Sequence, residues 1–111
     1  MKYAYEQYNH RYDKITPYLR SLGIERDDKV YCTYDPSINI SLYLMDQKGH
    51  TDFFRKDVSF SEKVQLFGEH GCKYVLIGDY DRIDKDPGEI GLTKIGEYNG
   101  VDIFKIEHSI R

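Results

Sequence analysis

The run Tyr74-Val75-Leu76-Ile77, closed by Gly78, constrains the fold more than any other stretch. It has no polar face to show to water, so as a strand it must be covered on both sides. A sheet covered on both sides needs helices or loops above and below it. The chain has 111 residues, the size of one ordinary domain. A hydrophobic share of 40% supplies one modest core. No apolar run approaches the roughly 20 residues of a membrane span. The formal charge is -3, and a mildly acidic chain is a poor partner for nucleic acid, whose binding rests on Lys and Arg.

The flanking segments suggest how that strand is covered. Tyr5, Tyr8, Tyr12, Ile15, Leu19 and Leu22 recur at helical spacing and end at Gly23. Pro17 interrupts this stripe, so residues 1–23 read as a long kinked helix or as two nearly collinear ones, with Thr16 as cap of the second. Val30 to Tyr34 is β-branched and aromatic, and Asp35-Pro36-Ser37 ends it. Ile38 to Lys48 fits either period. Cap signals at Asp35 or Ser37 and a stop at Gly49 favour a helix. His50 to Phe54 reads as a short second strand. Ser59 and Glu62 form a capping-box pattern before a helix over 60–70, which Gly71 stops. Residues 79–91 are a polar loop with five acidic and two basic side chains, enough to account for the whole net charge. Two strands joined by Asn99-Gly100, a type I′ turn pair, close the chain over 92–107.

Strand–helix–strand alternation over 29–78 predicts right-handed crossovers and a parallel sheet of order 2-1-3. The terminal hairpin adds an antiparallel extension. The expected fold is α/β, a small Rossmann-like sandwich with a mostly parallel sheet, in one domain spanning 1–111.

In such sheets ligands gather beyond the carboxyl ends of the strands. That places candidate binding residues Asp35, Ser37 and Asn39 after the first strand and Asp79 after the third. Ser37 and Asn39 offer donors to a sugar or phosphate, whereas Asp35 suits a hydroxyl or a capping role. A capped turn without a ligand is the plainer reading of the first loop, and a solvated acidic loop that of the second. The acidic spacing after Asp79 lacks the glycine and distal glutamate of a calcium loop. No phosphate-cradling glycine motif and no nucleophile elbow is present. No catalytic residue, metal ligand or cofactor is expected. Cys32 and Cys72 lie outside any CxxC pattern and read as reduced, buried thiols, with a single disulfide as the alternative.

Four blocks carry a resemblance. They are Leu19 to Ile24 with Asp28-Lys29-Val30, Asp35 to Gly49, Gly71 to Ile77, and the Ile95 to Phe104 hairpin. Together they resemble the C-terminal soluble domain of bacterial polytopic membrane proteins that look like glycosyltransferases of the protein-mannosyltransferase kind. The resemblance covers roughly positions 15–106. The chemistry of those enzymes belongs to acidic residues in the membrane part, so no catalytic role transfers to this chain. What it implies is an extracytoplasmic, membrane-attached accessory domain whose partner is the membrane-embedded portion of the same protein. Its tyrosine-rich first helix would then lie at the membrane–water boundary, where tyrosines are favoured. Two other readings stand beside it. One is a stand-alone module for a small sugar or phosphate. The other is a structural domain that forms a homodimer through the first helix. Read as a complete protein without a leader, the chain would be cytoplasmic.

Overall fold

A computed structural model describes residues 14–33, 42, 45–51, 58–78, 80 and 83–107. Their elements run α1 (Thr16–Ser21), β1 (Lys29–Thr33), β2 (Gly49–His50), α2 (Phe60–Glu69), β3 (Cys72–Ile77), a 3-10 turn (Pro87–Ile90), β4 (Leu92–Tyr98) and β5 (Val101–Ile106). β3 is the middle strand of a five-stranded sheet of order β2-β1-β3-β5-β4. Its side chains alternate between two cores. Val75 and Ile77 join Tyr31, Phe60, Val64, Phe67 and Phe104 on one face. Leu76 joins Ile15, Leu19, Val30, Cys32, Met45 and Ile103 on the other.

The expected Rossmann-like, mostly parallel sandwich is corrected by the strand pairing. β1 runs parallel to both β2 and β3, but β5 is antiparallel to β3 and to β4, and those two ladders make half the sheet. The sheet is mixed. The physical reason lies in the hairpin. β5 buries Val101, Ile103 and Phe104 on both of its faces, so it takes the inner place beside β3. β4 exposes Thr93, Lys94 and Glu97, and charged side chains suit an edge strand. The parallel part is short because β2 contributes only Gly49 and His50, while 52–57 lie outside the described residues. The Asn99-Gly100 turn forms as read, with φ values of 52° and 84°.

The first segment also departs from expectation. Lys14 has φ 70°, which a right-handed helix cannot hold, so no single helix runs through 1–23. Residues 1–13 lie outside the described residues, and with them Tyr3, Tyr5, Tyr8 and Tyr12. Thr16 does not cap α1. Ile15 occupies the cap position, and the Thr16 hydroxyl donates instead to the Met45 carbonyl at 2.8 Å. Gly23, at φ 90°, ends the helix as expected, with the Ile24 N–H returning to the Leu19 carbonyl at 3.1 Å. Tyr18 packs α1 onto the sheet. Its ring stacks on Tyr98 at 5.5 Å, and its hydroxyl accepts the Glu97 N–H at 3.0 Å.

Leu42 and Met45 are helical and buried, as the helical reading of 38–48 requires. The stop is not Gly49, however. Asp46 takes the left-handed conformation at φ 53°, and the Gln47 N–H returns to the Leu42 carbonyl at 3.0 Å.

α2 carries the capping box. The Glu62 N–H donates to the Ser59 hydroxyl at 3.3 Å, and the Ser59 N–H donates to the Glu62 carboxylate at 3.4 Å. Its buried face, Phe60, Val64 and Phe67, lies over Tyr31, whose ring meets Phe67 edge-on at 4.9 Å. Each of those large side chains contributes about 1.5–3 kcal/mol by leaving water. His50 stacks flat on Phe67 with centroids 4.5 Å apart. Burial pushes the His50 imidazole below its ordinary value of 6.5, and the nearby Lys29 and His70 push it further down. The unfolded chain therefore binds this proton more readily than the fold does. The stability His50 contributes is present above pH 6.5 and is lost as pH falls through the lower folded value. Urea midpoints should drop between pH 7.5 and about 5, before carboxylates titrate. In His50→Phe, which keeps a ring on Phe67, that part of the drop should vanish. An unchanged pH profile would remove His50 as its source.

Candidate functional site

Asp35, Ser37, Asn39 and Asp79 lie outside the described residues. The frame next to them is described, at the carboxyl ends of β1 and β3. Thr33, Ile77, Asp102 and Glu97 stand in one row across β1, β3, β5 and β4. The Gly78 N–H closes the end of β3 onto the Thr33 carbonyl at 2.7 Å.

Four chemistry-bearing side chains meet here, with Asp102 and Glu97 on this row. Tyr80 donates its hydroxyl to the Asp102 carboxylate. Lys94 Nζ lies 3.4 Å from the same carboxylate and donates to Glu97 at 3.2 Å. Burial raises the Tyr80 phenol well above its ordinary value, and the hydrogen bond and charge of Asp102 raise it further. The Glu97 hydrogen bond raises Lys94, slight desolvation works against it, and the charge of Asp102 adds to the rise. Both groups therefore stay protonated at neutral pH. They act as donors and charge partners, not as a phenolate or amine nucleophile. Sequence reading missed this cluster, although a signal was available. The Asn99-Gly100 turn places Glu97 directly opposite Asp102, and two like charges facing across a hairpin call for a cation.

A larger concavity lies elsewhere. A half-open groove of about 980 Å³ runs between α2 and the 85–90 segment, over the end of β5. Val64, Gly68, Ile90 and Ile106 make its apolar part, and Glu62, Glu69, Glu89 and Glu107 its acidic part, with Lys85 as the single cation among the described residues that line it. The 79–91 loop reaches this position because it is tied down. Asp84 accepts both the N–H and the hydroxyl of Ser61, each at 3.0 Å. Burial works to raise the Asp84 carboxyl, but these bonds outweigh it and hold the group below its ordinary value. Ile83 and Ile90 then pack against the α2-side core. The loop read as solvated is thus anchored over its second half, from Ile83 onward.

Cys32 and Cys72 are buried, and no disulfide joins them. Burial pushes Cys72 up to about 12, which keeps it a protonated thiol and a poor nucleophile at neutral pH. Among the described residues, no three His, Cys, Asp or Glu side chains come together as a metal site. Among the same residues, no helix is long and apolar enough to cross a membrane. Scans against protein-family models, curated proteins and solved structures found no match to this chain.

Proposed function

We propose that this chain is a non-catalytic binding domain, an accessory part of a membrane glycosyltransferase-like protein of the kind its sequence blocks resemble. On this reading it sits outside the cytoplasmic membrane and serves the membrane-embedded portion. The observation that carries the binding role is the groove beside α2, which at about 980 Å³ is half-open and lined by both apolar and charged side chains. Enclosed small-molecule sites are built differently, as concave pockets that bury most of the ligand. The reactive groups that are described support the non-catalytic half. Tyr80 is committed to Asp102, Lys94 to Asp102 and Glu97, and Cys72 is a buried thiol.

Turnover assays test the reading. The purified chain, offered ester, phosphate-ester, glycoside and lipid-linked sugar substrates, is expected to give rates equal to buffer. Turnover that is retained on repurification and abolished by Tyr80→Phe or Asp102→Asn would overturn it.

A further inference from the structure

We propose that the groove between α2 and the Pro87–Ile90 turn docks a cationic amphipathic segment of a partner polypeptide. This rests on the binding-domain reading and adds the chemistry of the occupant. The argument starts from charge. Glu62, Glu69, Glu89 and Glu107 face the groove from α2, the turn and the end of β5, against Lys85 alone among the described residues. Glu62 is partly occupied as the capping partner of Ser59. Glu69, Glu89 and Glu107 make no ion pair among the described residues. Three elements far apart in sequence therefore bring carboxylates to one groove, with Lys85 as the cation among its described lining. A rim of mostly negative charge attracts a positive partner.

The floor excludes a simple cation as the occupant. Ile90 and Ile106, both partly buried, present hydrocarbon beside the carboxylates. A metal ion or a small polyamine leaves that surface wet. A segment with apolar residues on one side and Lys or Arg beside them covers both parts at once, because the long stems lie on hydrocarbon while their heads reach the rim. Anionic ligands, including nucleic acid and sugar phosphates, meet repulsion here. Gly68 adds a separate indication. It sits inside α2, where glycine costs stability relative to alanine. A Cβ there would meet Ile106 only at an ordinary 3.9 Å, so packing within the domain does not require glycine. Its missing side chain widens the floor between α2 and β5.

The probe is a labelled peptide of about three helical turns with Leu on one face and Lys beside it, titrated into the full chain and followed by anisotropy. A control carries Glu for every Lys, and a second carries Ser for every Leu. The Lys/Leu peptide is expected to bind, and to weaken as salt is raised. The double variant Glu69→Lys/Glu89→Lys should weaken it by about tenfold or more, by removing two attractions and adding two repulsions. Gly68→Met should also weaken it, by filling the floor, with the urea midpoint confirming an intact fold. Both controls should bind far less. Failure of the Lys/Leu peptide to bind, or binding indifferent to both variants, overturns the proposal. Equal binding of the Ser control reduces the site to a charge patch and also overturns it. None of these results bears on turnover, so the binding-domain reading stands or falls by its own assay.

Discussion

Gly49→Ala is expected to destabilise the fold by about 2–6 kcal/mol, the sum of a backbone strain term and an overpacking term of about 1–3 kcal/mol each. Gly49 has φ 151°, a conformation that side-chain-bearing residues rarely adopt. An added Cβ would fall on the Val30 carbonyl oxygen and come within 2.6 and 2.8 Å of the Val30 nitrogen and carbonyl carbon. All three are backbone atoms of β1, so no side chain can turn aside to relieve the clash. β2 pairs with β1 at this very position, Val30 opposite Gly49, and the cost is therefore loss of that edge. Gly23→Ala provides the comparison. Gly23 has φ 90° with nothing within 4 Å, so it should pay only a left-handed backbone cost of about 1–2 kcal/mol. Urea titrations followed by far-UV circular dichroism separate the two. Equal midpoints would show that the close approach to β1 does not exist in solution.

Gln47→Leu is expected to cost about 2–4 kcal/mol, despite replacing a polar side chain by an apolar one of similar size. Gln47 is only 6% exposed. Its amide donates to the carbonyls of Glu25 and Asp28, both at 2.6 Å, and reaches Arg26 at 3.3 Å. Its carbonyl oxygen accepts from Arg20 at 2.7 Å. One side chain thus ties α1 to the turn before β1 and to the lead into β2. Leucine leaves the Asp28 carbonyl and one Arg20 N–H without this partner, while the Glu25 and Arg26 carbonyls keep the Asp28 and Lys48 N–H groups, and each group so orphaned costs about 1–3 kcal/mol. Gln47→Glu separates the two ends of the side chain. It keeps an acceptor for Arg20 but sets a carboxylate against two carbonyl oxygens, so it should also destabilise. A Gln47→Leu midpoint equal to that of the parent chain would mean that water satisfies the turn unaided.

Local signals were legible wherever a few adjacent residues settle the conformation. Ser59 and Glu62 specify the start of α2 because both partners lie within one turn. Asn99-Gly100 specifies the hairpin because its two residues accept positive φ. The compact run around Leu76 proved to be the strand buried on both faces. The groove was hidden. Glu62, Glu69, Glu89 and Glu107 come from three elements, and the bonds of Asp84 to Ser61 and the packing of Ile83 and Ile90 bring the 85–90 segment to α2. Gly49 was misread for a related reason. A glycine after an apolar stretch looks like a helix stop, yet Asp46 serves as the stop and Gly49 is needed for the close approach to Val30.

By itself the sequence determined that this chain forms an α/β domain with one doubly covered strand, a capped helix beside it, a closing hairpin and two cysteines that are buried. These follow from spacing, capping and turn chemistry, which act over fewer than about ten residues. Only the tertiary structure decided that the sheet is mixed and that β5 lies beside β3. It also decided that Gln47 holds α1 to the β1 turn and that four carboxylates gather at one groove. Those outcomes depend on which of several apolar strands wins the inner place and on hydrogen bonds between residues some twenty or more positions apart, as Gln47 to Arg20 and Asp84 to Ser61 are. Such competition is settled by the whole core at once.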